Sequence, residues 1–444
     1  PRMSSWTNED PAGRRRDCVG GRFRGAARGA LAKPPGAARP AAVRTLVAPS
    51  VRASFFEICY NFHVVSSISY KLRFYPNAAQ RQQLAVDFGV ARWAWNTALD
   101  ARSFCYRALG RSVSGADCSR AITELKADPA YAWLKDANST AITQALRDQD
   151  RAFANFYAKR AGFPKFKSKR GPQSARYQLD QRNIHRTFDA ATETLVLPKL
   201  GKLKLRWSQP ITGIPKMATV SHDAVGDYYV SISCEIEINE LPPTNKAVGI
   251  DLGIKDVIVT SDGAKSGNPK FIEKYKRQLK RAQQVLSRRV KWSGRWHRAR
   301  VRVAKIQRKT ARCRADFLHK LTTGLVRAYG FIATEDLNLS GMLKNQKLAK
   351  AVADISGHEL MRQLAYKAQW YGREVVKIGR FERSTGVCPD CGLIAPKLAL
   401  SVRRWQCECG AAHDRDIAAA QTILNIAAGR AVTARGEIGR CQAA

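Results

Sequence analysis

The sequence has no long apolar segment and no secretory leader pattern. None of its apolar runs approaches the roughly 18 to 20 residues that a helix needs to span a bilayer. The first residues also lack the basic, apolar and small-residue regions of a signal peptide. These absences argue against a membrane-spanning or secreted protein, and we expect a soluble, cytoplasmic chain without a membrane partner.

Acidic residues are scarce. The 444 residues include 36 Asp and Glu against 76 Lys and Arg, which gives a net charge of +40. Such an excess repels itself unless a polyanion neutralises it, so nucleic acid is the leading partner, ahead of an anionic membrane surface. The hydrophobic share of 45% is typical of globular proteins and predicts that most of the chain folds. At roughly 150 residues per domain, the length predicts about two to four domains.

The cysteines do not indicate a disulfide framework, because they number eleven and no leader directs the chain to an oxidising compartment. Four of them form two pairs that each end in glycine, and fifteen residues separate the pairs. The second pair has one intervening residue instead of two. Paired thiolates on such turns suit tetrahedral Zn²⁺, with free thiols or a redox pair as alternatives. We therefore predict one structural zinc ion held by Cys388, Cys391, Cys407 and Cys409.

The first half of the chain divides into segments of different composition and predicted secondary structure. Residues 1–65 are rich in Ala, Gly, Pro and Arg and predict a disordered basic extension. A strand over 66–76 precedes three helices, and short alternating runs then predict antiparallel strands from 176 to 245. The stretch 158–177 interleaves basic and aromatic residues, which favours a nucleic-acid surface over a solvated helix end. The three helices are predicted over residues 78–109, 117–126 and 139–160.

A second basic region is predicted to be helical. Residues 269–320 contain 19 Lys and Arg against two acids, and apolar residues recur among them. So high a density of positive charge favours a helical arm that follows a sugar-phosphate backbone. A solvated helical hairpin is the alternative.

Three acids lie about 80 residues apart. Asp251 ends one short apolar strand, a second such strand ends in Glu335 and Asp336, and both Asp414 and Asp416 precede an apolar helix. If the fold brings them together, their carboxylates would form a two-metal site for phosphodiester cleavage, since hard oxygen ligands suit divalent cations. The GIDLG segment around Asp251 also occurs in actin-like ATPases, but those proteins need a second glycine-rich hairpin that this sequence lacks.

The ordered motifs together resemble a known family. They are VGIDLGIKDV, IATEDLNLSGM, CPDCG, CECG and HDRDIAAA, with YKLRFYPNAAQ, RAFANFYAKRAGFPKFKSK and RQLAYKAQWYGREVVKIGRFERST as further matching stretches. In type, order and spacing they resemble the TnpB-type, transposon-encoded RNA-guided DNA endonucleases, the OrfB family related to type V CRISPR effectors. The resemblance covers roughly residues 66–428.

The resemblance implies an α/β multidomain protein with a RuvC-like nuclease domain of ribonuclease H fold. It assigns Asp251, Glu335 and Asp416 as the catalytic ligands of two Mg²⁺ ions. Implied partners are a guide RNA derived from the transposon end and a double-stranded target DNA that is cut next to a short flanking motif, which supports transposon retention. Ala418 stands where the family has Asn, so a nuclease-impaired DNA-binding repressor or transposition accessory protein is the alternative.

The expected domain boundaries combine this resemblance with the sequence pattern. They are a basic extension over 1–65, a β-barrel (wedge) domain over 66–77 and 176–244, a helical recognition domain over 78–175, a RuvC-like domain over 245–384 and 411–428, a zinc knuckle over 385–410, and a disordered tail over 429–444.

Overall fold

The computed structural model describes residues 64–441, apart from 239, 397, 398 and 400. The basic extension expected over residues 1–65 therefore lies outside the described part, except for its last two residues. Those two already belong to the first strand, which begins at Val64 rather than at 66. None of the helices within the described residues is long and apolar enough to cross a membrane.

The first half of the described chain is a β-sheet that three long helices interrupt in sequence. Strand β1 pairs antiparallel with β8 along its whole length, and the sheet order is β2-β7-β8-β1-β6. A smaller sheet contains β3, β4 and β5. The elements are β1 (Val64–Phe74), α1 (Ala78–Leu109), α2 (Gly115–Leu125), a 3₁₀ helix (Pro129–Lys135), α3 (Ser139–Tyr157), β2 (Gln173–Gln178), α4 (Ile184–Thr187), β3 (Phe188–Asp189), β4 (Thr194–Leu197), β5 (Gly201–Lys202), β6 (Leu205–Arg206), β7 (Ile214–His222) and β8 (Tyr228–Ile238).

Local sequence explains where α1 begins and ends. The side chain of Asn77 accepts a hydrogen bond from Gln80 N at 2.8 Å, and the Gln80 side chain accepts one from Asn77 N at 3.1 Å. This reciprocal pair satisfies amide groups that have no partner within the helix. Gly110 ends the helix with a φ of 62°, a conformation that glycine adopts without strain. The predicted helix over 78–109 is thus confirmed.

A buried carboxylate joins the helices to the sheet. Asp87 is fully buried in α1 and accepts hydrogen bonds from the Tyr177 hydroxyl of β2 at 2.6 Å and from Asn138 N at 2.9 Å. Asn138 in turn caps α3 by accepting from Thr140 N at 2.8 Å. Since a buried polar group needs such partners, this network fixes α1, α3 and β2 relative to one another.

The second half contains a mixed sheet with the order β10-β9-β11-β12. Strands β9, β11 and β12 are parallel, and β10 is antiparallel to β9. The elements are β9 (Ala247–Asp251), β10 (Val259–Thr260), α5 (Phe271–Ser287), α6 (Gly294–Ala328), β11 (Phe331–Glu335), α7 (Leu339–Met342), α8 (Ala349–Ile355), α9 (Gly357–Tyr371), β12 (Glu374–Ile378), β13 (Arg404–Gln406), β14 (Ala412–Asp414) and α10 (Arg415–Cys441).

Helices cover both faces of this sheet. On one face, Ile250 and Ile332 pack with residues of α6 and α9 such as Leu325 and Leu364. On the other face α10 approaches β9 so closely that a Cβ added to Gly249 would lie 1.9 Å from the Ala420 carbonyl oxygen. Glycine is therefore required at position 249, and this contact fixes the start of α10 near the end of β9.

The basic region predicted to be helical over residues 269–320 forms two helices, α5 and α6, that pack together as a hairpin. Its second helix runs on to Ala328, and the strand that ends in Glu335 begins at Phe331. Arg308 of α6 contacts the turn between β7 and β8, donating to Asp223 at 2.7 Å and to Asp227 at 2.5 Å. These ion pairs attach the hairpin to the first sheet.

The last helix is longer than expected. We predicted a disordered tail from residue 429, but α10 continues to Cys441. Residues 429–441 contain no proline, but they have three glycines and only two alanines. The N-terminal half of α10 is packed against the sheet, and this stabilised nucleus accounts for the continuation of the helix.

Candidate functional site

Two of the predicted acids lie side by side at one edge of the mixed sheet. Asp251 is the last residue of β9 and Glu335 is the last residue of β11. The two strands are parallel, and Thr334 is paired with Ile250. Because the register places each acid one residue beyond this pair, both carboxylates leave the sheet at the same end.

The third acid reaches the same edge from α10. Asp416 is the second residue of that helix, one turn before the Ala420 contact with β9. The neighbouring Asp414 has a different role, since its carboxylate accepts from Asp416 N at 3.0 Å and from Lys265 Nζ at 2.8 Å. Asp414 thus caps the helix, while Asp416 lies close enough to Asp251 to affect its ionisation.

The pKa of Asp251 reflects its burial and the proximity of the other two acids. Burial is the main cause that raises the pKa of its carboxyl to about 7, followed by the negative charges of Glu335 and Asp416. A hydrogen bond from Leu252 N opposes the shift only in part. Glu335 and Asp416 thus both act on Asp251 at this partly buried strand end, and carboxylate oxygens are the type of ligand that Mg²⁺ prefers.

The raised pKa predicts a pH-dependent effect on stability. Above pH 7 the folded protein carries an ionised Asp251 that burial disfavours, whereas below pH 4 this group is neutral and carries no penalty. In Mg²⁺-free buffer, Asp251→Asn should therefore raise the free energy of unfolding by about 2 to 4 kcal/mol at pH 8 and little at pH 4. Thermal unfolding at both pH values measures this difference.

Asp316→Asn is the control for that measurement. Asp316 is an exposed carboxylate that pairs with Lys320 on α6, so its loss should leave the unfolding midpoint nearly unchanged at either pH. A midpoint for Asp251→Asn that falls at pH 8 would contradict the electrostatic account of Asp251.

Other side chains hold the acids in place. The buried Ser384 donates a hydrogen bond to Glu335 Oε1. Arg403 lies 3.4 Å from the Asp416 carboxylate. Sequence analysis missed Ser384, because nothing in its local pattern marks a serine as the partner of an acid 49 residues earlier.

A cavity opens beside Glu335. It has a volume of about 200 Å³, and its lining includes Asp336, His358, Lys377 and Arg380. Arg380 Nη2 donates to the Asp336 carboxylate at 2.9 Å. The cavity thus combines a candidate metal ligand with two basic side chains, a combination that suits the phosphates of a nucleic-acid strand.

The four predicted cysteines form one cluster. All four sulfur atoms lie within 4.8 Å of one another. The Sγ distances are 3.7 Å between Cys388 and Cys409 and 3.6 Å between Cys391 and Cys407. Tetrahedral zinc with bonds of about 2.3 Å places its sulfur ligands roughly 3.8 Å apart, so the donor set fits Zn²⁺. The shorter second pair is accommodated in the loop between β13 and β14.

His413 joins this cluster, which sequence analysis did not predict. Its Nε2 lies 3.2 Å from the Sγ atom of Cys388, and its side chain is 7% exposed. The ring also packs against Trp405, with centroids 4.9 Å apart. One signal in the sequence could have indicated this contact, because His413 closely follows the second cysteine pair, and histidine is itself a common zinc ligand.

Several known proteins are similar to this chain. A family model described as "Probable transposase" (OrfB of IS605) matches residues 231–346, "Cas12f1-like, TNB domain" matches 358–423, and "Helix-turn-helix domain" matches 66–110. A Streptomyces pristinaespiralis protein named "Putative RNA-guided DNA endonuclease" is 41% identical over 373 residues, covering 83% of this chain and 91% of that protein. InsQ of Escherichia coli K12, which has the same description, is 32% identical over 392 residues, covering 83% and 94%.

A solved structure has the same overall fold. The cryo-EM structure of the Cas12f1-sgRNA-target DNA complex aligns with a TM-score of 0.52 at 12% identity, over 81% of this chain and 98% of that one. This likeness concerns the fold alone, whereas the sequence relatives are matched over nearly their whole length. The chain therefore belongs to the TnpB-type OrfB family of insertion-sequence proteins.

Proposed function

We propose that this protein is an RNA-guided, Mg²⁺-dependent DNA endonuclease encoded by a transposable element, which cuts DNA next to a short flanking motif and supports retention of the element. The observation that carries the proposal is the convergence of Asp251, Glu335 and Asp416 at one sheet edge. The names of the full-length relatives support the same activity.

The domain assignment is part of this proposal. The mixed sheet with a parallel core and α10 across it supports a RuvC-like ribonuclease H fold over residues 245–384 and 411–428. The cysteine cluster supports a zinc knuckle at 385–410. The first sheet, with helices between β1 and β2, supports a β-barrel wedge domain that carries a recognition domain at 78–175.

The three carboxylates are proposed to hold two Mg²⁺ ions. When bound, Mg²⁺ supplies Lewis-acid stabilisation of the phosphate charge and a nucleophilic water. Glu335 has one oxygen engaged by Ser384, which fixes the direction of its carboxylate. Burial of Asp251 excludes part of the surrounding water, which strengthens electrostatic interactions within the site.

The proposed partners are a guide RNA from the transposon end and double-stranded target DNA, in the cytoplasm. The basic hairpin α5–α6 and the net charge of +40 suit a folded RNA and a heteroduplex held through their backbones. In such a system base pairing reads the target, while the protein reads the flanking motif.

The test is to purify the protein with the RNA that it retains in its host and to sequence that RNA. A matching DNA library is then incubated with Mg²⁺. Cleavage at guided sites next to one flanking motif is the expected result. Guided binding without cleavage would instead favour the repressor and implicate Ala418, which is buried near the start of α10.

Ser384 is predicted to act as a positioning residue for Glu335. Ser384→Ala leaves one carboxylate oxygen without its hydrogen bond, so the Mg²⁺ concentration for half-maximal cleavage should rise about 10- to 100-fold. Binding of Mn²⁺, followed by electron paramagnetic resonance, should weaken by a similar factor. Ser384→Thr keeps the hydroxyl and should restore both values, and equal defects in the two variants would contradict this role.

A further inference from the structure

A turn near the three acids presents an exposed phenylalanine. Strand β12 ends at Ile378, which is paired with Glu335, and Phe381 follows three residues later. Phe381 is 97% exposed, the highest value among the large exposed apolar residues of the described chain. Single exposed apolar residues are common, so this exposure alone decides nothing. The turn that carries Phe381 and the basic residues nearby indicate a role for it.

The turn that carries Phe381 is held from several sides. Glu382 N donates to the Gly379 carbonyl at 3.1 Å, and Gly379 N donates to the Glu382 carboxylate at 2.9 Å. Arg380 donates to Asp336, the residue after Glu335, at 2.9 Å. Ser384, on the other side of the turn, donates to Glu335 itself. These contacts hold the turn, and with it the backbone of Phe381, relative to the acid cluster.

The position and charge of the turn suit a nucleic-acid strand. Three residues span at most about 11 Å, so Phe381 lies within reach of the nucleotides next to a phosphate bound at Glu335. Arg380 and Lys377 line the cavity beside Glu335, and both are exposed. They can neutralise phosphates on the same strand, while an aromatic face can stack on a base of any sequence.

We infer that Phe381 is a stacking platform for an unpaired base of the DNA strand that is cut, next to the scissile phosphate. The inference rests on the proposed nuclease function and specifies how its substrate strand is held. Stacking on Phe381 fixes the sugar-phosphate backbone in line with Asp251, Glu335 and Asp416. The ring makes no hydrogen bonds to base edges, so it contributes position rather than sequence preference.

Cleavage by position-381 variants tests the inference. The rate for a guided target should fall on the order of 5- to 100-fold in Phe381→Ala, the range expected for loss of one base stack. Phe381→Tyr should retain the rate, whereas Phe381→Leu, which is apolar without an aromatic face, should behave like the alanine variant. A rate within about twofold of wild type in Phe381→Ala, or full activity in Phe381→Leu, would overturn the inference while leaving the nuclease function intact.

A second measurement does not depend on cleavage. The Asp251→Ala protein with its retained RNA is bound to target DNA in which 2-aminopurine replaces successive bases of the unpaired strand. We expect one or two adjacent positions to be quenched when Phe381 is present and bright when Phe381→Ala is combined with Asp251→Ala. Identical fluorescence at every position would overturn the inference. If the wild-type protein does not cut, the proposed function fails, and the fluorescence still decides whether Phe381 stacks.

Discussion

Asp251→Ala is expected to abolish DNA cleavage and to leave guided DNA binding intact. The substitution removes a carboxylate from the centre of the acid cluster, where its charge is coupled to those of Glu335 and Asp416. Metal-assisted stabilisation contributes several kcal/mol to phosphodiester cleavage, so the rate should fall by about a thousandfold or more. Cleavage is measured on a guided target in Mg²⁺, and binding is measured by gel shift of the same complex.

Two controls separate the acid cluster from ordinary surface charge. Asp316→Asn removes an exposed carboxylate on α6 and should leave cleavage unchanged. Asp414→Asn is more demanding, because Asp414 lies two residues before Asp416 but caps α10 and pairs with Lys265. Asparagine also caps helices well, so this variant should retain most activity. Full cleavage by Asp251→Ala, or equal losses in Asp414→Asn and Asp416→Asn, would remove the basis for the assigned site.

The acids could be found from the sequence because strand ends are visible in it. Short apolar runs that end in Asp251 and Glu335 predict buried strands, and parallel strands present such ends at one edge of a sheet. Sequence alone left open whether the third acid was Asp414 or Asp416, and the family resemblance favoured Asp416. The structure gives a physical reason for the same choice, since Asp414 is occupied as a helix cap.

The supporting side chains could not be found in this way. Ser384 and Glu335 are joined only by the fold, as are His413 and Cys388, and no local period links either pair. The extent of α10 was also mispredicted, since the tail expected to be disordered from residue 429 is helical to Cys441 despite Gly429, Gly436 and Gly439. Packing of the earlier turns against the sheet outweighs this weak local preference.

Cys388→Ser is expected to remove the zinc ion and to disable cleavage. Cys388 is buried in the cysteine cluster, whose small core otherwise consists of Ala395, Trp405 and Cys407. A segment of this size has too little apolar surface to fold alone, and structural zinc contributes on the order of 10 to 16 kcal/mol in small zinc modules. Without the ion, the segment between β12 and α10 should lose its structure.

Unfolding of the zinc knuckle should displace two of the three acids, because the knuckle is connected to both. Ser384, which holds Glu335, lies four residues before Cys388, and Asp416 lies seven residues after Cys409. Unfolding of the knuckle therefore releases two of the three carboxylates, and cleavage should fall about 100-fold or more. Zinc content by atomic absorption should drop from about one ion per chain to near zero, while retained RNA changes little, because the basic α5–α6 hairpin lies outside the knuckle.

Cys105→Ser is the matched control, since Cys105 is a partly exposed free cysteine of α1 outside the cluster. It should keep both zinc and cleavage. Wild-type protein purified without zinc, or a Cys388→Ser protein that keeps both zinc and activity, would contradict the zinc knuckle. If the Cys388→Ser protein lost its zinc but cleaved fully, the cysteines would still be the zinc ligands. The knuckle would then not be needed to hold Glu335 and Asp416.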